Sequence, residues 1–129
     1  MNILFIDSGN VARSRMARYF FNNLTTKHSA SSTGTQATKW GSKKLGQFAQ
    51  PIVDCMKEEG FDVSQDVPLQ LTPTMVQKID MIISFEKKED LPSYVRPDKY
   101  WKAINPKGQS YEIHLQVRDK IKELVKELS

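Results

Sequence analysis

The sequence predicts one α/β domain in which four parallel strands are covered by helices on both faces. Short strand-like segments alternate along the chain with segments of helical periodicity, and this order is typical of parallel sheets. The chain has 129 residues, which is the length of one domain with one hydrophobic core. We therefore expect a single domain over residues 1–129, with ligand sites at the carboxyl ends of its strands.

In the first half of the chain, the pattern of apolar residues predicts two strands and two helices. Short apolar or small-residue runs indicate the strands, and apolar residues three and four apart indicate the helices. Proline suits the first turn of a helix, and glycine suits its end. The predicted elements are a strand at residues 2–6, a helix from Arg13 to Leu24, a strand at 28–34, a loop at 35–47, and a helix with Pro51 in its first turn and Gly60 as its stop.

The second half predicts the other two strands and two more helices. Residues 79–85 (IDMIISF) form the strongest strand pattern after the first strand. Thr72 and Ser110 each suit the N-cap of a helix. The predicted elements are a short helix at residues 73–79, a strand at 79–85, a strand at 99–103, and a final helix after Ser110 with apolar residues at helical spacing through Leu128.

Composition and charge limit the classes of function. The net charge is +4, and no basic motif with interleaved aromatic residues is present, so we expect no nucleic-acid partner. Every apolar run is too short to span a bilayer. The single cysteine, Cys55, cannot form an intramolecular disulfide, and we expect it to be a small core residue in a cytoplasmic protein. His28 and His114 lack zinc-site spacing, so we expect no metal and no cofactor.

The residues between the first strand and the first helix are the strongest candidate site. Gly9 and Asn10 tolerate the backbone angles that direct successive N–H groups toward an anion, and the helix dipole favours negative charge there. Arg13 suits a bidentate contact with phosphate-like oxygens. The alternative is an ordinary strand-to-helix turn. The candidate anion-binding residues are Ser8, Gly9, Asn10, Val11, Ala12, Arg13 and Ser14.

The segment ILFIDSGNVARSRMA resembles the active-site signature of the low-molecular-weight protein tyrosine phosphatases and the related thioredoxin-coupled arsenate reductases. That signature is Cys-x-x-Gly-Asn-x-x-Arg-Ser after an apolar strand. The resemblance covers nearly the whole chain and is closer to the reductase branch in its middle section. It implies a flavodoxin-like, three-layer fold with a four-stranded parallel sheet. The other matching segments are SSTGT (31–35), PIVDCMKEEGFDVS (51–64), KIDMIISF (78–85), W-x-x-x-N-P (101–106) and VRDKIKELVKEL (117–128).

This sequence departs from the family pattern at its catalytic positions. The family's nucleophilic cysteine is replaced by Asp7, and its general-acid aspartate is replaced by Asn105, which precedes Pro106. The redox cysteines of the reductase branch are missing from SFEKKEDLP. The residues that match are Gly9, Asn10, Arg13 and Ser14. In the family, the asparagine shapes the loop, the arginine holds the oxyanion, and the serine supports the thiolate.

These substitutions predict a catalytically impaired or inactive protein that keeps the phosphate-loop scaffold as a binding or regulatory module. At 4 Å, a carboxylate repels one negative charge by roughly 4 kcal/mol at an effective dielectric of 20, and a phosphate dianion by about twice that. The amide of Asn105 cannot donate a proton to a leaving alkoxide. We expect an unidentified protein partner or an anionic ligand. The alternative is a hydrolase in which Asp7 accepts the phosphoryl group, although such enzymes usually need a metal.

The sequence also leads to specific expectations for the positions of three side chains. The Asp7 carboxylate should project into the loop amides and form an ion pair with Arg13, the alternative being a solvent-facing aspartate. Trp40 should either line the crevice or pack in the core. Trp101 should pack.

Overall fold

The structure, a computed structural model, describes residues 1–128, and the predicted domain limit at residue 129 lies just outside them. The four strands are β1 (Asn2–Asp7), β2 (Ser29–Gly34), β3 (Met81–Ser84) and β4 (Lys99–Tyr100). The α-helices are α1 (Arg13–Leu24), α2 (Leu45–Phe48), α3 (Gln50–Lys57), α4 (Pro73–Val76) and α5 (Tyr111–Leu128), and short 3-10 helices lie at Ala37–Trp40 and Lys88–Asp90.

The four strands form one parallel sheet in the order β2-β1-β3-β4, which confirms the predicted fold class. β1 is central and pairs with β2 along its whole length, from Asn2 opposite Ser29 to Asp7 opposite Gly34. Because all strands run the same way, the residues that follow β1, β3 and β4 meet at one edge of the sheet.

The sheet buries both faces, so the residues of β1 alternate between two hydrophobic clusters. Ile3 and Phe5 face the larger cluster, which α1, α3 and α5 cover. Leu4 and Ile6 face a smaller cluster that the short α4 and its neighbouring loops cover. Strands buried on both faces are expected to be continuously apolar, as β1 is. Among the described residues, no helix combines the length and the apolar content needed to cross a membrane.

Helix α1 has the predicted bounds and buries most of its predicted face. Met16, Ala17, Phe20 and Phe21 are buried against the sheet. Leu24 was predicted to share this face, but it is 46% exposed because it is the last residue of the helix.

The end of α3 confirms the stop predicted at Gly60. Gly60 adopts a φ of +88°, and its N–H donates to the carbonyl of Lys57. The N–H of Phe61 donates to the carbonyl of Met56, which completes the hydrogen-bond pattern of a helix closed by a left-handed glycine.

Four predicted elements differ clearly in extent, and one of them is the strand predicted at 79–85, which is limited to Met81–Ser84. The predicted loop at 35–47 contains a 3-10 helix and the start of α2, in which Ala37 and Leu45 are buried. The predicted helix at 73–79 ends after one turn at Val76. The predicted strand at 99–103 stops at Tyr100, followed by one further bond from Trp101 to Ser84.

Gly34, at the end of β2, touches the segment that follows β1. A Cβ atom at this position would lie 2.6 Å from the carbonyl oxygen of Ser8 and 2.7 Å from the amide nitrogen of Asn10. The chain after Gly34 continues the contact, since Thr35 and Gln36 donate to the carbonyls of Asp7 and Ser8. The absence of a side chain at Gly34 therefore permits the path of the loop after β1.

Gly34→Ala should destabilise the protein by about 1–3 kcal/mol, because the added methyl group meets backbone atoms. Urea unfolding would measure this, with Ser31→Ala as the matched control on the exposed face of the same strand. Equal free energies of unfolding for the two variants would contradict the proposed close approach.

Candidate functional site

The segment of residues 8–12, called here the β1–α1 loop, connects the carboxyl end of β1 to the first turn of α1. Asn10 sits in its middle with a φ of +55°, and it is the one non-glycine residue with positive φ among those described. Asparagine adopts this left-handed conformation more readily than most residues. The turn directs backbone N–H groups inward, and the N-terminus of α1 adds its positive dipole end.

The Asp7 carboxylate occupies the inside of the β1–α1 loop. Oδ1 accepts a hydrogen bond from the Asn10 N–H at 2.6 Å, and Oδ2 accepts one from the Ser14 N–H at 2.8 Å. Asp7 is only 2% exposed. The predicted inward direction is confirmed, and the solvent-facing alternative is wrong. A buried carboxylate is tolerated here because both oxygens have backbone donors.

The predicted ion pair between Asp7 and Arg13 is wrong, because Arg13 pairs with Glu86 instead. The Nη2 of Arg13 lies 2.8 Å from Oε2 of Glu86, and its Nη1 donates to the carbonyls of Phe85 and Ala103 at 3.2 and 3.4 Å. Backbone amides already satisfy the Asp7 oxygens, whereas Glu86 follows β3 at the same edge of the sheet. The guanidinium group therefore ties α1 to the segments after β3 and β4.

The Asn10 side chain shapes the loop, as the family resemblance implies. Its Nδ2 donates to the Ser14 hydroxyl at 3.0 Å, and its Oδ1 accepts from the Leu69 N–H at 2.8 Å. Asn10 is fully buried. The loop is thus held from inside by Asp7 and from outside by the segment that contains Leu69.

Arg15 is a positioning residue that sequence reasoning missed. It is 2% exposed, and it donates to the carbonyl and side-chain oxygens of Asn10 at distances of 2.7 to 3.2 Å. Its Nη1 pairs with Asp66 at 3.1 Å, and the same carboxylate accepts from the Tyr19 hydroxyl. Burial lowers the pKa of Arg15 and is the main cause that raises the pKa of Tyr19 to about 12. The sequence signal that could have identified it is a basic residue next to Met16, on the apolar face of α1.

A cleft of about 330 Å³ opens above the β1–α1 loop, and most of the site residues predicted from sequence line it. Asn10 and Ser14 do not, because both are fully buried behind the loop. Asp7 and Arg13 lie at its floor, and Asn105 lies on one bank with Pro106. The cleft thus brings together three positions that are far apart in the chain. Its lining also includes Ser8, Gly9, Val11 and Ala12 of the loop.

Trp40 also lines the cleft, which favours the crevice alternative for this residue. Its ring stacks on Phe48 with centroids 4.5 Å apart and an interplanar angle of 14°. Gly9 leaves room for the indole, since a Cβ there would lie 3.1 Å from Nε1. Trp101 packs against Phe5 as predicted, with centroids 5.7 Å apart.

Three further cleft residues were not predicted as site residues. The Nζ atoms of Lys39 and Lys107 lie 5.3 and 4.9 Å from the centroid of the Trp40 ring. His114, on α5, is buried, and its Nδ1 donates to the carbonyl of Ser110 at 2.8 Å. The basic residues looked like ordinary surface lysines in sequence, because a local pattern does not reveal a shared aromatic neighbour.

Cys55 is a core residue, as predicted. It is fully buried in α3, where its Sγ lies 3.4 Å from the Ile52 carbonyl oxygen, and it is absent from the cleft lining. Burial raises the pKa of the Cys55 thiol from 9.0 to about 11. A thiol in this state is a poor nucleophile at neutral pH.

Comparison with known proteins gives matches over nearly the whole chain. The family model described as "Low molecular weight phosphotyrosine protein phosphatase" matches residues 2–129. Wzb from Vibrio vulnificus, solved with benzylphosphonate, is 21% identical with a TM-score of 0.83, covering 98% of this chain and 95% of that chain. A YwlE mutant from Bacillus subtilis is 22% identical with a TM-score of 0.80, covering 99% and 95%. An arsenate reductase in its oxidized state is 26% identical with a TM-score of 0.79, covering 98% and 95%.

Asp7→Asn should destabilise the fold by about 1–3 kcal/mol, because one loop N–H would then face an amide NH₂ instead of an acceptor. Urea unfolding would measure the change. Asp80→Asn is the matched control, since its exposed carboxylate accepts a single backbone hydrogen bond, from Asn2. If the two variants lose the same small amount, Asp7 does not hold the loop.

Proposed function

The chain belongs to the low molecular weight phosphotyrosine protein phosphatase family, and we propose that it is a catalytically impaired or inactive member that acts as a binding or regulatory module. The observation that carries this proposal is the Asp7 carboxylate inside the β1–α1 loop. It already accepts the N–H groups of Asn10 and Ser14. An incoming oxyanion would compete with it for the same donors and would meet its negative charge.

The engagement of Arg13 supports the same proposal. A phosphate-binding arginine has to present two N–H groups to the oxyanion. Here the guanidinium group contacts Glu86, Phe85 and Ala103. A ligand at the floor would have to share the guanidinium group of Arg13 with Glu86.

Asn105 also supports the proposal, because it cannot protonate a leaving group. It is exposed on the bank of the cleft, and its Oδ1 accepts from the Lys107 N–H at 3.2 Å. Its amide has no acidic proton to give to a departing alkoxide. The chain therefore lacks both the thiolate and the acid at the positions where the family resemblance places them.

The scaffold that remains suits recognition. The β1–α1 loop and the first turn of α1 are retained, and the cleft above them is accessible to an unidentified protein partner or an anionic ligand. We further propose that the protein works as one domain in the cytoplasm. The single cysteine, which allows no intramolecular disulfide, is consistent with a reducing compartment.

The purified protein should not hydrolyse p-nitrophenyl phosphate or phenyl phosphate, with or without magnesium, and Asp7→Cys should gain activity. The variant removes the competing charge, and the helix N-terminus should lower the pKa of the new thiol. Adding Asn105→Asp should raise the rate on phenyl phosphate by roughly 10²–10⁴-fold, a typical general-acid contribution.

Asn105→Asp alone is the control and should remain inactive, since no nucleophile is present for the acid to assist. Magnesium-dependent turnover that disappears in Asp7→Asn would contradict the proposal and would favour a hydrolase that uses Asp7 as the phosphoryl acceptor. The Asp7→Cys variant could fold normally and still neither bind phosphate nor hydrolyse the substrates. That result would mean that the site has lost more than the family's nucleophile and general acid.

A further inference from the structure

We propose that a second cavity, formed by the loop between β3 and β4, binds a small amphiphilic anion, with a carboxylate or phosphate head group on a short apolar body. This loop comprises residues 85–98 and is called here the β3–β4 loop. Its cavity shares no lining residue with the cleft above the β1–α1 loop. The inference therefore goes beyond the proposed function and concerns a separate site.

The β3–β4 loop connects two parallel strands with short turns instead of a full helix. It contains the 3-10 helix at Lys88–Asp90 and a turn in which the Val95 N–H donates to the carbonyl of Pro92 at 3.0 Å. Pro92 and Pro97 have no N–H with which to continue a helix. The cavity against this loop has a volume of about 410 Å³, which is within the range of small-molecule sites.

The apolar part of the cavity lining continues the smaller hydrophobic cluster of the sheet. Val95 is buried in that cluster, and Leu91 is half-buried against it. Pro92 and Pro97 complete the apolar lining. An apolar group that enters the cavity gains free energy because it leaves water for this surface.

The charged part of the lining is entirely positive. Lys88 and Arg96 line the cavity, and no carboxylate of the described residues does. Glu89 and Asp90 lie outside the lining, and the Asp98 carboxylate accepts a backbone N–H of β3 at 2.8 Å. The cavity therefore brings two positive charges together without a negative charge to offset them.

Arg96 differs from the other arginines of residues 1–128, because its guanidinium group has neither an ion pair nor an aromatic partner. Lys88 likewise forms no ion pair within this range. A guanidinium group carries parallel N–H groups whose spacing matches the oxygens of a carboxylate or phosphate. The arginines that do have such partners are Arg13, Arg15, Arg18 and Arg118.

This arrangement selects for an anion that also has an apolar part. Val95 lies inside and the two cations are exposed, so the apolar body would enter first and the head group would remain with Lys88 and Arg96. Contacts between exposed charges are individually modest and are screened by salt. We therefore expect weak, salt-sensitive binding to which both parts of the ligand contribute.

The test is a titration of ¹⁵N-labelled protein at constant ionic strength, observed through the backbone amides of Ser93, Val95 and Arg96. Hexanoate and hexyl phosphate carry the same apolar body on the two head groups, and at least one of them should shift these resonances in a saturable way. Acetate and inorganic phosphate, which lack the body, and hexanamide, which lacks the charge, should bind at least several-fold more weakly. Failure of both hexyl anions to bind, or affinities equal to those of these controls, would overturn the proposal.

The two cations are tested with a matched pair of double variants. Lys88→Gln with Arg96→Gln should weaken the tighter hexyl anion about tenfold, which corresponds to about 1.4 kcal/mol. Both side chains are exposed and unpaired, so the free energy of unfolding should stay that of the wild-type protein. Lys87→Gln with Lys99→Gln removes the same charge from nearby exposed positions outside the lining and should leave the affinity unchanged. Equal affinities for the two double variants would overturn the role of Lys88 and Arg96.

Hexyl phosphate also separates failure of this inference from failure of the proposed function. We expect it to leave the amides of Asn10 and Ser14 unchanged. Shifts of those two amides without shifts in the β3–β4 loop would overturn this inference, because the anion would then occupy the β1–α1 loop. Saturable shifts in both loops would support the second cavity and would contradict the exclusion of anions from the β1–α1 loop.

Discussion

Each oxygen of the Asp7 carboxylate accepts one backbone N–H, from Asn10 at 2.6 Å and from Ser14 at 2.8 Å, and the remainder of the site is organised around these two bonds. Inward-facing amides next to a helix N-terminus favour negative charge whether or not a ligand is present. Asp7 supplies that charge within the chain. The buried carboxylate is tolerated because the N–H groups of Asn10 and Ser14 donate to it. Those two N–H groups in turn have an acceptor because the carboxylate is present.

The loop geometry that makes these bonds possible is itself held from outside. Gly34 allows the backbone of β2 to touch the loop, and Arg15 fixes the carbonyl and the side chain of Asn10. Since Asp7 is satisfied by amides, Arg13 is available to Glu86, and the floor of the cleft has little net attraction for an anion.

Much of this was accessible from the sequence, because local signals encode it. The alternation of strands and helices gave the parallel sheet, Gly60 gave the end of α3, and the family signature gave the inward direction of Asp7. The signature also located Asn105 at the same cleft as Asp7.

The parts that sequence reasoning did not find depend on contacts between distant segments. Glu86 lies 73 residues after Arg13, and no local pattern connects them. The role of Arg15 depends on Asn10 and on Asp66, which lies 51 residues further along the chain. The grouping of Lys39 and Lys107 on one indole likewise required the folded positions of two loops.

The account depends on Asp7 excluding other anions from the loop, and a titration of ¹⁵N-labelled protein with inorganic phosphate tests this most directly. The amide resonances of Asn10 and Ser14 report on the two donors involved. We predict that they stay unchanged in the wild-type protein and show saturable shifts in Asp7→Ala, where the donors are free. Saturable shifts of both amides in the wild-type protein, at phosphate concentrations similar to those needed for the variant, would contradict the account.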